Sequence, residues 1–493
     1  MSNSNQYILL PKGSLRAENP TTKTAMAGLP FTRSTHKAKF GMLEAADNAQ
    51  VKILDAFKED GPRLVEMDEW AANKTNAASS PLRAVPIVIY EHPNPKWVDV
   101  QNTSVSLMTQ FKVICVDAKT KKGIADAMVV AVEDYSKGKG SKGVTDSTGT
   151  VHLSLSGVII QRLYVYSPLG YWSAYRTNLH VTNIIQVDLT PIDLNFHDAL
   201  RTYYPTTRFD PGMGVTVGVI DTGSGPHQDL NIVSGRNTVT GEPATDFFDA
   251  DDHGTHVAGL IGAKGHPPTG LQGMAPNVKI IAYRVFGKNA EGASNYAILK
   301  AMMLAAEDGC DIINLSLGGG PFDEIVAEAI EDARNNGMLV VVAAGNQKRN
   351  DVTYPAAYSG ATAVSAMGKE GTYPVGSISD SNVLRPPVSV QNPSEFIADF
   401  SNIGPEIAVT GLGVGVLSTL PHNHYGPMSG TSMAAPQVAG AVASLLSQNA
   451  KIFKMPRDRK RSNAIEKLLQ TNCVSRGFGL NFEGYGLPNP QTV

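Results

Sequence analysis

From residue 195 onward the chain alternates apolar runs with amphipathic stretches, and this pattern constrains its fold more than any other feature. The runs fall at 215–220, 279–285, 312–317 and 338–344, with long helical patterns between them at 296–307 and 322–335. A strand reads as an unbroken apolar run when both of its faces are covered. Parallel strands cannot be joined by a tight hairpin and need a crossover connection, usually a helix. The pattern therefore predicts an α/β unit built on a parallel sheet over 195–493.

The preceding residues have a different texture. Residues 1–92 predict a short strand at 7–10 and a helix with Val51, Leu54 and Phe57 on one face. Two further strands follow at 64–67 and 85–90, with a short helix at 69–76 between them. His92, Pro93, Asn94 and Pro95 break regular structure and read as a linker. Residues 105–190 carry strand patterns at 111–116, 128–132, 151–155, 163–166 and 184–189, divided by turn residues, which predicts a small β-sandwich. Three units suit 493 residues at roughly 150 residues per domain.

Composition excludes several classes of function. With 42% hydrophobic and 18% charged residues, the chain has the apolar surface a core needs and is not a disordered tail. A net charge of −3 offers no basic footprint for nucleic acid or an acidic membrane surface. Three cysteines (Cys115, Cys310 and Cys473) cannot pair completely and match no metal knuckle. No run reaches the ~18 apolar residues of a membrane span, and no signal-type apolar segment opens the sequence. A cytoplasmic location is expected by default, with export by a route lacking a cleaved signal left open.

Four segments carry the chemistry. Asp221 ends the first apolar run, in Val219-Ile220-Asp221-Thr222-Gly223. His253 opens His253-Gly254-Thr255-His256, and Ser432 lies in Gly430-Thr431-Ser432-Met433-Ala434. A serine hydroxyl is too weakly acidic to attack a peptide carbonyl unaided, whereas an imidazole can accept its proton and return it to the leaving amine. A buried carboxylate fixes the imidazole tautomer and stabilises the imidazolium. Asn346, at the end of the 338–344 run, can donate its side-chain N–H to a tetrahedral oxyanion, with the Ser432 backbone N–H as a second donor. Asp-Thr-Gly also occurs in aspartic proteases, but those need a second such triplet and this chain has one. His253 and His256 could bind metal with Asp251 and Asp252, yet no third ligand at a usual spacing accompanies them.

Residues 209–490 resemble a subtilisin-like serine protease. The order Asp221, His253, Ser432 is that family's order. Further matches are Ile313-Asn314-Leu315-Ser316-Leu317-Gly318-Gly319, Ala343-Ala344-Gly345-Asn346 and Phe400-Ser401-Asn402-Ile403-Gly404-Pro405. The resemblance implies an endopeptidase that works through an acyl-enzyme on Ser432, with His253 as base, Asp221 as orienter, Asn346 in the oxyanion hole and His256 structural. It also implies backbone-binding edges at Gly292, Ala293, Ser294 and at Ser316, Leu317, Gly318. Thr353 would line the base of the pocket for the residue before the cut, and Tyr354-Pro355 would be a cis peptide. Residues 1–92 are similar to the pro-region that caps such enzymes, implying a zymogen with its own N-terminal domain as inhibitor. Residues 116–120 and 145–149 resemble a carboxypeptidase-regulatory-type sandwich.

Protein or peptide substrates are the expected partners, without nucleic acid or membrane. A transpeptidase or macrocyclase would use the same triad, and a catalytically silent scaffold would keep the same fold, so both readings stay open at this point. No cofactor is expected. Asp229 matches a family calcium position, but the facing loop 263–270 lacks the ligand pattern and carries Lys264; calcium elsewhere is left open. His227, His422 and His424 read as loop or packing histidines. The basic run 451–461 reads as a solvated approach to a helix, and 368–395 as a loop longer than the family norm.

Overall fold

The computed structural model describes residues 5–29, 51–91, 98–102, 108–205 and 211–490. The 92–95 linker and most of the polar stretch after Leu29 lie outside them.

In the N-terminal unit the strands Lys52–Ala56, Arg63–Glu66, Gln6–Pro11 and Leu82–Pro86 form a four-stranded antiparallel sheet in that order. Strand alternation gives it two working faces. Leu9, Ile53, Val65 and Ala84 pack with Met26 and Ala71 of the helices Pro20–Ala27 and Glu69–Thr75. Ile8, Leu10, Leu64 and Val85 belong instead to the core that holds Tyr296, Leu299, Ile325 and Ala329 of the C-terminal unit. Both helices are capped in sequence: Asn19 and Thr22 form a capping box, and the Asp68 carboxylate accepts the Ala71 N–H at 2.7 Å.

The helix expected at Val51, Leu54 and Phe57 is instead the strand Lys52–Ala56. Its pairing register shifts between Ile53 and Asp55. That bulge places Val51 and Ile53 in one core while Leu54 and Phe57 pack against the other. A three-residue spacing of apolar positions results from a kinked strand. The single strand expected at 85–90 is two, Leu82–Pro86 and Ile89–Glu91.

Further along, Thr150–Leu155, Thr109–Asp117 and Ile184–Leu189 form a three-stranded sheet. Ala174–His180, Ile159–Tyr166, Met128–Asp134, Lys139–Val144 and Gln101–Asn102 form a five-stranded one. Phe111, Val113, Cys115, Val129, Ala131, Leu153 and Leu163 share one apolar cluster drawn from both.

The C-terminal unit is organised by an eight-stranded sheet. Its order runs Ile232–Asn237, Lys279–Arg284, Thr216–Asp221, Ile312–Leu315, Leu339–Ala343, Thr362–Lys369, Glu395–Ile397, with Ile407–Leu412 also paired to Thr362–Lys369. All pairings are parallel except the one made by Glu395–Ile397. The chain builds leftward from Thr216–Asp221 and then crosses to its other side at Ile312–Leu315. The carboxyl end of Thr216–Asp221 is therefore a topological switch point, where open α/β sheets leave a crevice. Asp221 is its last residue.

The basic run departs from its expected role at one end. Arg461 is buried, and both it (2.6 Å) and Arg457 (2.8 Å) bind the Asp311 carboxylate, whose other oxygen accepts the Thr216 N–H at 2.9 Å. Two cations on one buried carboxylate tie Arg457 and Arg461 to the sheet, while Lys451, Lys454 and Lys460 are exposed, in line with the solvated approach expected.

Candidate active site

Asp221 leaves the sheet fully buried, and one carboxylate oxygen lies 2.7 Å from Nδ1 of His253, the first residue of the helix His253–Gly262. That short contact fixes the tautomer: Nδ1 carries the proton and Nε2 presents a lone pair. Burial pulls the imidazole pKa down, but the charge of Asp221 and its hydrogen bond, with Asp249 and Asp251 behind, outweigh it and set the net direction upward. Nε2 has no hydrogen-bond partner among the described residues. The Ser432 hydroxyl donates to the Ser316 carbonyl at 3.3 Å, so the resting arrangement joins Asp221 to His253 but does not form the serine–histidine bond. Such bonds often tighten only when substrate arrives.

A network that the motifs alone did not single out holds His253. The buried Asp249 carboxylate accepts from the Thr222 hydroxyl (2.8 Å) and from the Thr255 N–H (2.7 Å) and hydroxyl (2.6 Å). Thr222 in turn accepts the Gly254 N–H at 2.9 Å. The strand end and the helix start are thereby tied together. Gly254 has to be glycine, because a Cβ there would lie 1.9 Å from the Gly223 carbonyl oxygen. The available signal in the sequence was an aspartate four residues before His253.

Ser432 sits in the first turn of the 18-residue helix Thr431–Gln448, whose positive end favours negative charge. Pro436 lacks the N–H that would bond the Ser432 carbonyl, and the Ser316 hydroxyl takes that carbonyl instead at 3.0 Å. Asn314 Nδ2 donates to the same hydroxyl at 2.9 Å. Asn346 is oriented from the same turn: its Oδ1 accepts both the Thr431 N–H and the Thr431 hydroxyl, each at 2.9 Å. With the oxygen occupied, the amide's two N–H donors are left to face the Ser432 turn, where a Cβ on Gly430 would lie 3.6 Å from Nδ2. Thr431 and Asn402 are supporting residues the sequence reading did not identify; Asn402 bonds Ala344, Gly345 and Gln347 around Asn346.

The edge segments also come together. Gly292, Ala293 and Ser294 pair antiparallel with Glu91, Tyr90 and Ile89 of the N-terminal unit. On the other side the Glu91 N–H bonds the Gly318 carbonyl at 3.1 Å. Tyr90 is fully buried there, and a Cβ on Gly320 would lie 2.7 Å from its ring. Thr353 stands beside Gly318 and Ala344, its hydroxyl donating to the Ala344 carbonyl at 3.3 Å. The Tyr354–Pro355 bond is cis.

Two histidine readings separate clearly. His256 Nε2 faces the carbonyls of Val416 (3.0 Å) and Gly426 (3.1 Å), and burial drives its pKa down to about 3, so it is a neutral donor in the core. Among the described residues no group of three or more His, Cys, Asp or Glu side chains could hold a metal. One oxygen of the Asp229 carboxylate accepts the Tyr425 hydroxyl at 2.8 Å and the Leu271 N–H at 3.1 Å.

Residues 212–486 match the family model described as Subtilase family. The chain is 40% identical over 243 residues to Subtilisin DY of Bacillus licheniformis, covering 48% of this chain and 78% of that protein. It is 35% identical over 267 residues to Subtilisin BL of Lederbergia lenta, covering 54% and 89%. A solved structure titled as proteases from Pseudoalteromonas arctica PAMC 21717 is similar at 28% identity, over 60% of this chain and 96% of that chain, with a TM-score of 0.48. The chain belongs to the subtilase family and is a subtilisin-like serine endopeptidase, a hydrolase acting on protein or peptide substrates.

Proposed function

We propose that Ser432 attacks the scissile carbonyl, that His253 takes its proton through Nε2 and returns it to the leaving amine, and that Asp221 stabilises the imidazolium. Asn346 Nδ2 and the Ser432 N–H receive the oxyanion. The observation that carries this reading is the buried 2.7 Å contact between Asp221 and His253 Nδ1, with Nε2 buried and without a hydrogen-bond partner among the described residues. An activated ester should release a burst of about one leaving group per chain before steady turnover. Turnover without any burst, in conditions where deacylation limits the rate, would count against an acyl-enzyme. Only neutral His253 can accept a proton, and its pKa is raised, so kcat/KM should climb with pH through a midpoint above the ordinary 6.5. A midpoint below 6.5 in a pH–rate profile would contradict the Asp221–His253 coupling.

The strand Ile89–Glu91 supports an inhibitory role for the N-terminal unit, because it lies between the two edges a substrate backbone would use. Ion pairs anchor the body of that unit: Lys300 to Asp55 at 2.7 Å, Arg16 and Lys58 to Glu307 at 2.6 and 2.7 Å, and Arg83 to Glu328. Thr353 narrows the pocket for the residue before the cut, so medium and small side chains should be preferred there. Mass spectrometry of a digested peptide library checks this, and dominant cleavage after Trp or Arg would remove Thr353 from that role.

A further inference from the structure

The loop that follows Asn346 has an improbable backbone. Lys348 and Arg349 both take positive φ values, 59° and 61°, in the left-handed region that side chains rarely adopt. Two such residues in succession stay in place only if their surroundings hold them. The backbone is held from one side: the Lys348 N–H bonds Phe400 O at 3.0 Å, the Arg349 N–H bonds Ser401 O at 3.1 Å, and the Gln347 N–H bonds Asn402 Oδ1 at 2.8 Å.

Both side chains reach parts of the chain whose purpose the active site leaves unexplained. The Arg349 guanidinium donates to the Leu384 and Ile397 carbonyls, each at 2.9 Å, and to the Pro386 carbonyl. It thus ties the 384–386 part of the long 368–395 loop to the strand Glu395–Ile397. Lys348 Nζ donates at 3.0 Å to the hydroxyl of Tyr135, in the turn between Met128–Asp134 and Lys139–Val144 of the five-stranded sheet, and Arg162 lies 3.6 Å from the centre of that ring.

The loop and the sheet are also joined to each other. Ala174 and Ser377 form an antiparallel bridge, the Tyr175 N–H bonds Gly376 O at 2.8 Å, and the Ile378 N–H bonds Ser173 O at 2.9 Å. Trp172, next in line, is buried in the main core of the C-terminal unit, edge-on to Phe196 at 5.5 Å. The Asn346 loop, the 368–395 loop and the middle sheet therefore close a triangle of contacts.

We propose that this triangle is a brace for the oxyanion donor, with Arg349 and the Lys348–Tyr135 pair as positioning residues that keep Asn346 Nδ2 aimed at the Ser432 turn. The middle unit is then a working part of the protease body rather than a detachable binding module. The inference rests on the oxyanion role of Asn346.

The test measures kcat and KM separately for the full chain, normalised by active-site titration, in Arg349→Ala, Arg349→Lys, Tyr135→Phe, Asn346→Ala and the Arg349→Ala/Asn346→Ala pair. Removing an oxyanion donor costs about 10²–10³ in kcat. Misaiming it should cost less: about tenfold for Arg349→Ala and about threefold for Tyr135→Phe, with KM within about twofold. Lysine cannot fork onto three carbonyls, so Arg349→Lys should fall close to Arg349→Ala. In the Asn346→Ala background the Arg349 substitution should cost less than about twofold, because the donor it positions is gone. Equal losses in both backgrounds, or an unchanged kcat in Arg349→Ala and Tyr135→Phe beside a large loss in Asn346→Ala, would overturn the brace. An unchanged kcat in Asn346→Ala would instead overturn the oxyanion reading beneath it. If Arg349→Ala does not fold, Tyr135→Phe, which removes a single partly exposed hydroxyl, carries the same comparison.

Discussion

Ser432→Ala and His253→Ala should each lower kcat by about 10⁶, and Asp221→Asn by about 10⁴, magnitudes that belong to subtilisin's own triad and are carried over here by family membership. The physical reason for so large a loss is that the three groups act as one unit. Without the hydroxyl there is no nucleophile; without the imidazole its proton has nowhere to go. With asparagine at 221 the amide nitrogen would face His253 Nδ1, favouring the tautomer that protonates Nε2. For the same reason double variants should be hardly worse than the worst single. Steady-state kinetics with a peptide substrate, beside thermal melts showing an intact fold, check this. Losses that multiply across the double variants would mean the residues contribute independently.

Tyr90→Ala should raise the turnover of the full chain by about 10²–10³. Tyr90 is fully enclosed where the N-terminal strand pairs with Gly292–Ser294 and Gly318, the edges proposed for substrate, next to Gly320 and 3.5 Å from Asp323. Truncating a buried aromatic to alanine typically costs about 3–5 kcal/mol, and each 1.4 kcal/mol is a factor of ten in an equilibrium. That loss falls on the docked state of the N-terminal unit and not on the triad. The ion pairs at Asp55, Glu307 and Glu328 lie partly in solvent, so each contributes far less than the aromatic. Turnover of a short peptide by the variant, compared with the wild-type chain at the same processing state, measures the effect. Unchanged turnover would show that this strand does not hold the substrate edges closed.

The catalytic-unit strands were legible because each carries its signal locally: strands at 216–221, 312–315 and 339–343 are buried on both faces, so apolar residues dominate them, with Asp221 and Asn314 as the buried polar exceptions. Asp221, His253, Asn346 and Ser432 could be singled out because each lies at or near an element's end: Asp221 last in its strand, Asn346 just beyond Leu339–Ala343, and His253 and Ser432 in the first turns of their helices. The supporting residues were not. Asp249, Thr222, Thr431 and Asn402 are ordinary polar residues that join segments 27 to 85 positions apart, which no local pattern reveals, although Asp249 also binds the nearby Thr255. Lys52–Ala56 was misread for the opposite reason: a bulge between Ile53 and Asp55 imposed a spacing that imitates a helix. In the basic run, Arg461 looked solvent-bound because its partner, Asp311, lies 150 residues earlier. Likewise the 368–395 loop gave no hint of its attachment to Ala174–His180, since edge pairing uses backbone groups that every residue has.

The central claim is that peptide hydrolysis proceeds through an ester on Ser432, and the mass of the intact chain tests it most directly. Quenching the protein within the burst of an activated acyl donor should show one acyl group added per chain, mapped by peptide digestion to 430–436, and no addition in Ser432→Ala. An acyl group on another residue, or steady turnover by Ser432→Ala at the wild-type rate, would contradict the account.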